Sequence, residues 1–533
     1  MRLEKYLLIV SLICIISVVC SKLFARFGIP ALLLFLALGM LMGSDGIAGI
    51  SFDDYGLTEH ICSAALLFIM FYGGFGTNWD AAKPVAVKSI LLSTFGVILT
   101  ALITGVFCYF VLRTTLLEGL LIGAVLGSTD AASVFSILRG KKLNLTGGLA
   151  SLLEIESGSN DPIAYMLTII ILGLMQGNGA ASLPLLLFKQ IFFGLAFGAA
   201  IGCATAFLMK KFSFHSNGMH LILVFAVAIS AYSMPVLLGG NGFLSVYIAG
   251  IILGNSAISD KIELVHFFDG LTGIMQILLF FTLGLLSFPS QMLLILPSAA
   301  LIALFLTLVA RPLAVFAILT PFKVPFRQQL LVSWAGLRGA ASIVFAIATV
   351  VSPAYTKNDI FHIAFFVCLL SVAIQGSLLP LLSRRLGLIE KDCNVFRTFN
   401  DYQDAKELNL IEVRLSEGHP WVGQTLSDIS MPKDMLAVMV KREGETLIPN
   451  GSTRIRLSDS IIISCSSYTD NSNVNLSEVF LDKDHPWVNQ PVNHISLPDN
   501  SLIVMVRRGQ ENFIPDGNSM LKKGDTLILC SDV

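Results

Sequence analysis

For its first 389 residues the chain alternates long apolar runs with short polar gaps. Each run is about as long as a bilayer-crossing helix, which needs roughly 20 residues. The pattern predicts about thirteen spans: 5–22, 29–47, 59–77, 89–112, 117–138, 148–175, 184–209, 219–238, 242–258, 269–287, 292–319, 329–351 and 360–383. The gaps alternate in charge. Lys22 and Arg26; Lys83 and Lys88; Arg139, Lys141 and Lys142; Lys210 and Lys211; Lys261; Lys323 and Arg327; and Arg384 and Arg385 fall in every second gap. A gap between them holds Asp45, Asp53, Asp54 and Glu59 with no Lys or Arg. Basic loops stay on the cytoplasmic side. The expected topology therefore has the N-terminus outside and everything beyond the last span in the cytoplasm. The run from Met1 to Val19 resembles a signal peptide but lacks a small-x-small cleavage site, so an uncleaved first helix is expected.

After Ile389 the pattern changes. Polar and charged residues return, and alternations such as Met435 to Val440 and Leu502 to Val506 predict strands. The tail is an internal duplication. His419-Pro420-Trp421-Val422 recurs as His485-Pro486-Trp487-Val488, and the same offset pairs Pro432 with Pro498, Ile448-Pro449 with Ile514-Pro515, Gly451 with Gly517, and Asp459 with Asp525. Two copies of one small α/β module are expected, over 390–470 and 471–533. The His-Pro-Trp triplets read as a shared turn with a packed Trp. Neither copy carries a G-x-G-x-x-G run after a strand, and no cofactor is expected.

Composition sharpens the picture. The chain is 55% hydrophobic and 13% charged, where a soluble domain carries about 25% charged residues. It reads as a polytopic membrane protein in the lipid bilayer of the cell (inner) membrane, and not as an enzyme. A net charge of -1 argues against a nucleic-acid partner. The 9 cysteines are scattered without metal-type spacing and read as small buried hydrophobes.

Against that background six charges stand well inside predicted spans, more than about five residues from either end: Asp130, Glu154, Glu156, Asp161, Arg311 and Arg338. Ionisable groups at membrane depth are retained where they face a cavity, an ion path or a partner. The sixth span reads Glu156-Ser157-Gly158-Ser159-Asn160-Asp161-Pro162. Helical spacing puts Ser157 and Asp161 on one face, with Glu156 and Asn160 on the next. A second repeat lies in the membrane: Gly127-Ser128-Thr129-Asp130-Ala131-Ala132-Ser133 resembles Gly336-Leu337-Arg338-Gly339-Ala340-Ala341-Ser342, seven spans later. An odd offset inverts the copy. Inverted repeats on interrupted helices mark secondary transporters, with the site where they cross.

The expected chemistry follows. Glu156 and Arg338 form a structural ion pair bridged by Asn160. Asp161, on one face with the Ser157 hydroxyl, is the acid left to exchange its load, and the interrupted helix around Thr129-Asp130 opposite it would supply a hydroxyl and unwound carbonyls, hard oxygen ligands for a monovalent cation. Burial favours a neutral, protonated carboxyl, and a bound cation favours the ionised form. Such an acid carries either a proton or a cation. Asn160 in place of a second carboxylate implies one charge each way, and so electroneutral exchange. Arg311, beside Pro312, is expected to bond broken-helix carbonyls.

These residues resemble the NhaP-type sodium or potassium/proton antiporters. The resemblance rests on Thr129-Asp130, the Glu156 to Pro162 run and Gly336-Leu337-Arg338-Gly339. It implies an all-α, NhaA-like membrane domain over 1–389 with inverted repeats and two interrupted crossing helices. It also implies a homodimer, K+ or Na+ and H+ as substrates, Asp161 as carrier, Thr129, Asp130 and Ser157 as ligands of the transported ion, and Glu156 paired with Arg338. The tail resembles paired TrkA-C regulatory modules, for which cyclic di-AMP is one candidate effector. Many relatives carry an acid late in the third span, where this chain has Tyr72-Gly73-Gly74. Two rivals fit less well. An intramembrane aspartyl protease needs a Gly-x-Gly-Asp run, and a gated cation channel needs a filter of repeated carbonyls; neither is present.

Overall fold

The computed structural model describes Ser11, Ile15, Ile16 and Val19, then residues 31–389 and 408–532 except 48, 141–142, 144, 178–182, 212–217, 259–260, 355, 416–418, 430, 432–434, 443–444, 467–473, 484, 496, 498–500, 509–510 and 514. The predicted first span and the tail positions Pro432, Pro498 and Ile514 lie largely or wholly outside the described residues. So do Lys22, Arg26, Lys141 and Lys142. The chain divides into two compact units, Met1–Asp404 and Ala405–Val533.

Unit one is helical. Its helices are α1 (Ala31–Met42), α2 (Tyr55–Gly76), α3 (Ala86–Leu112), α4 (Leu116–Val125), α5 (Ala131–Gly140), α6 (Leu149–Met175), α7 (Leu183–Lys211) and α8 (Met219–Leu237). There follow α9 (Gly242–Gly254), α10 (Lys261–Leu286), α11 (Pro289–Phe305), α12 (Arg311–Leu319), α13 (Phe326–Trp334), α14 (Ala340–Val351) and α15 (Ile360–Arg385). Among the described residues, eight helical stretches are long and apolar enough to cross a membrane. Phe110, Phe188, Phe207, Leu294 and Leu308 stand exposed on them, as lipid-facing side chains do. Polar side chains start several helices by accepting an otherwise orphaned N–H. Asp54 accepts from Leu57 at 2.8 Å, Thr115 from Glu118 at 3.2 Å, Asn241 from Leu244 at 3.0 Å and Asp359 from His362 at 3.0 Å.

The predicted fifth and twelfth spans are each two half-helices. The chain unwinds between α4 and α5 over 126–130, and between α13 and α14 over 335–339. Short π-helical turns interrupt α3 at Leu92–Gly96, precede α12 at Leu306–Ala310 and interrupt α15 at Ser371–Gly376. The second sits against Pro312, whose ring cannot donate to an α-helical carbonyl.

Unit two holds two four-stranded antiparallel sheets. Strands β1 (Leu408–Arg414), β2 (Met435–Arg442), β3 (Glu445–Leu447) and β4 (Ser460–Ser466) lie in the order β1-β4-β2-β3. Strands β5 (Val474–Phe480), β6 (Ser501–Arg508), β7 (Glu511–Phe513) and β8 (Asp525–Asp532) repeat it as β5-β8-β6-β7. Even the irregularity repeats, between Ala437 and Met439 in one copy and Ile503 and Met505 in the other. The His-Pro-Trp triplet is a packed turn in both. The Trp421 N–H donates to His419 Nδ1 and the Trp487 N–H to His485 Nδ1, each at 3.3 Å. Both indoles pack against their module's core.

The repeated aspartates have a structural use. Asp459 and Asp525 are almost fully buried. Arg442 clasps Asp459 with two N–H donors at 2.8 and 2.7 Å, and Arg508 clasps Asp525 at the same distances. Burial alone would push each carboxyl up, but the guanidinium and a backbone N–H (Arg456, Lys522) outweigh it and hold both below the usual aspartate range. The stability this confers is complete above the ordinary aspartate value of about 4 and is lost as pH falls through the lower folded-state value. Both modules should therefore loosen together in acid. Hydrogen exchange of β2 and β6 in the full chain, corrected for intrinsic rates, checks this. Protection that stays constant as pH is lowered below about 4 would remove the linkage.

Candidate functional site

The two unwound segments touch. The Asp130 N–H donates to the Leu337 carbonyl at 2.7 Å. Gly339 makes that approach feasible, since a Cβ there would lie 2.4 Å from the Asp130 Cβ. The Asp130 carboxylate starts α5, accepting from the Ser133 hydroxyl at 2.6 Å and the Ser133 N–H at 3.3 Å.

Where α4 ends, its last carbonyls lack helical partners. The fully buried Arg338 guanidinium supplies them, donating from Nη1 to the carbonyls of Leu126 and Ser128, the latter at 2.9 Å. A cation at a helix C-terminus also suits the local dipole. The Arg338 N–H is held by Ser371 Oγ at 3.0 Å, in the π turn of α15.

This corrects the expected ion pair. Glu156 bonds Arg311, not Arg338; both partners are buried, at 1% and 2% exposure. Arg311 reaches it from α12 past Gly336, where a Cβ would lie 2.8 Å from the Arg311 Nε. The two arginines have exchanged their anticipated roles. The reason is reach: Arg338 emerges from the second break directly against the first, whose free carbonyls take its donors. Nor does Asn160 bridge the pair. Its Nδ2 donates to Thr129 Oγ1 at 2.6 Å.

The sixth-span face is arranged as the helical spacing implies. Ser157 and Asp161 line a cavity of about 60 Å3, room for a few water molecules, together with Ser128, Thr129, Asp130 and Gly339. Leu32 of α1, Leu66 and Ile69 of α2, and Gln276 and Phe280 of α10 also line it. Ser157 donates to the Thr129 carbonyl at 2.7 Å. Glu156 and Asn160, on the neighbouring face, are buried away from the cavity. Tyr72 does not line it either; its hydroxyl donates to Asp269 of α10 at 3.2 Å.

Two features escaped the sequence reading. The Ser128 hydroxyl donates directly to Asp161 Oδ1, although Ser128 stands inside the quoted motif. The lining from α10 carries no motif at all. The donor set is all oxygen and amide, which suits a hard monovalent cation as substrate.

Comparison with known proteins points to a family of transporters. The family described as "Sodium/hydrogen exchanger, transmembrane" matches residues 8–385, and the TrkA-C domain matches 410–468 and 476–532. The K(+)/H(+) antiporter NhaP2 of Shewanella sp. (strain MR-4) is 38% identical over 472 residues, covering 86% of this chain and 81% of that protein. The K(+)/H(+) antiporter NhaP of Alkalimonas amylolytica is 34% identical over 464 residues with the same coverage. The sodium proton antiporter MjNhaP1 of Methanocaldococcus jannaschii shares the fold, with TM-score 0.64 and 24% identity over 72% of this chain and 99% of that one. On the match across its whole membrane unit, the chain belongs to the family of transmembrane sodium/hydrogen exchangers, as a multi-pass antiporter of monovalent cations and protons with a TrkA-C tail.

Proposed function

We propose that the chain exchanges K+, or else Na+, for H+ by alternating access, with Asp161 as the carrier that holds cation or proton in turn. The observation that carries this is a separation of charge: Asp161 faces the cavity, whereas Glu156 and Arg311 satisfy one another outside it. Thr129, Asp130 and Ser157 surround the same cavity and serve as the cation's oxygen ligands, with Asn160 fixing Thr129. Asn160 is an amide committed to that bond, so only Asp161 changes its load and the exchange is electroneutral. K+ is favoured because the relatives sharing 34–38% identity are named for it.

In this reading the protein sits in the cell membrane as a homodimer. Its N-terminus lies outside and its TrkA-C modules lie in the cytoplasm, following the alternation of loop charge. The domains divide near 389 and 470. The modules bias the transport cycle by binding a small effector, for which cyclic di-AMP is the candidate, in one conformation better than another.

The test is dequenching of a pH dye in everted vesicles after addition of K+, Na+, Li+ or Rb+, repeated with the membrane potential clamped. Proton release on K+ addition, unaffected by the potential, is expected. No response to any cation would overturn the assignment, and a strong response to potential would overturn electroneutrality. The same assay with cyclic di-AMP on the module side tests the effector, and unchanged rates would exclude it.

A further inference from the structure

Asn241 stands at the start of α9, almost fully buried, and its backbone and side chain meet three different elements. Its Oδ1 accepts the Leu244 N–H at 3.0 Å and caps α9. That bond fixes the orientation of the amide, so Nδ2 faces α6 and donates to the Pro162 carbonyl at 2.8 Å. The Asn241 N–H donates to the Gln190 carbonyl of α7 at 3.2 Å. The next contacts along α9 fall on α6 as well. The Phe243 ring meets Tyr165 edge-on, with centroids 5.0 Å apart, and both rings pack on Phe345 of α14. One helical turn further, Tyr247 lies over Gly158, where a Cβ would come 2.7 Å from its ring.

The neighbours of α9 differ in kind. Against α2 and α7 its backbone is close-packed: a Cβ at Gly74, Gly250 or Gly198 would collide with the carbonyl oxygen of Tyr247, Phe71 or Ser245. Against α6 it is joined through side chains, and Asn241 grips the α6 main chain. We infer that Asn241 is a positioning residue for the transport cycle: by holding the Pro162 carbonyl, one residue beyond Asp161, it latches α6 against α9 in one of the two facing states. This rests on the reading of exchange by alternating access. Such a cycle moves one bundle of helices against another. Interlocked backbones leave no slack for that motion, whereas side-chain contacts can part and re-form. The bond to Pro162 is present in the state seen here and is lost when α6 slides along α9. Asn241 does not line the cavity, so it biases the equilibrium between states without touching the cation.

A latch and a helix cap are separable at this residue. Asn241→Ser keeps an oxygen for the Leu244 N–H but has no donor that reaches Pro162. Asn241→Ala loses both. One net hydrogen bond shifts an equilibrium by roughly fivefold. A site available in only a fraction of the molecules shows an affinity reduced by that fraction. Loss of the latch therefore raises the K+ half-saturation on the side to which this state opens and lowers it on the other. The ratio of the two then changes by roughly fivefold.

The experiment measures K+ half-saturation from each side of the membrane, for full-length protein in uniformly oriented proteoliposomes at equal pH on both faces. Melting in detergent controls for folding. The series is wild type, Asn241→Ser and Asn241→Ala. A change of roughly fivefold in the ratio, alike in both variants, is expected. Asn241→Ala should melt below Asn241→Ser, because it also loses the cap. An unchanged ratio in Asn241→Ser would overturn the inference and leave Asn241 as a cap. Half-saturations that rise together on both sides would overturn it in favour of a role in shaping the cation site. Should Asn241→Ser fail to fold, Asn241→Thr keeps the cap, makes the same cut and decides by the same ratio. Failure here is distinct from failure of the underlying reading, which would show as exchange surviving in Asp161→Asn or as no response of the wild type to any cation.

Discussion

Asp161→Asn is expected to reduce exchange to background while the membrane unit remains folded. The replacement has nearly the same shape and keeps an oxygen for the Ser128 hydroxyl. On the proposed reading, what it loses is the capacity to alternate between a bound proton and a bound cation. A neutral amide costs less at membrane depth than a carboxylate, so melting in detergent should be unchanged or slightly raised. Two other acids nearby are already engaged. Glu156 is committed to Arg311, and the Asp130 carboxylate caps α5 through Ser133. Dye-monitored exchange by purified, well-folded variant in proteoliposomes is the check, and substantial residual transport would remove Asp161 as the carrier.

The second large effect concerns folding. Glu156→Gln and Arg311→Met each strand a buried charge, a change that typically costs about 3–5 kcal/mol. Each should lower the melting temperature by several degrees. The double variant Glu156→Gln/Arg311→Met replaces the pair by neutral groups and should be less damaged than the two singles added together. The parallel cycle with Arg338→Met separates the pairing seen here from the one the sequence implied. Glu156 and Arg338 should be closer to additive, because the Arg338 side-chain hydrogen bonds run from Nη1 to the Leu126 and Ser128 carbonyls and not to Glu156. Coupling to Arg338 without coupling to Arg311 would reverse the assignment.

The comparison of sequence and structure divides along a physical line. Features set by local periodicity were legible. The apolar runs marked the described helices, and the i, i+4 spacing put Ser157 and Asp161 together on one face, where the structure has them lining one cavity. The repeated tail residues anticipated two sheets alike down to their irregularities. Interrupted helices were legible too, because the small residues around Asp130 and Arg338 cannot be explained by lipid. The choice of partner for a charge was not legible. Two buried arginines and several acids allow several pairings, and spacing along a helix says nothing about reach between helices. Gly336 decides it by leaving room for Arg311, and that room exists only once α12 and the second break are packed. The Ser128 contact was hidden for the same reason. An unwound segment has no periodicity from which the direction of a side chain can be read.

The bond from the Asp130 N–H to the Leu337 carbonyl joins main chain to main chain. Ordinary substitution at either position leaves both atoms in place; only proline at 130 deletes the donor. The joint between the two breaks is thus insensitive to substitution at 130 and 337, provided that residue 339 stays glycine, since a Cβ there would collide with Asp130. Over a long lineage, side chains around the crossing can be exchanged one at a time, and ion preference retuned with them, without first dismantling the mechanical link. A transporter whose crossing is joined by backbone rather than by side chains is free to explore selectivity. That freedom offers a physical basis for antiporters named for K+ and for Na+ sharing one architecture.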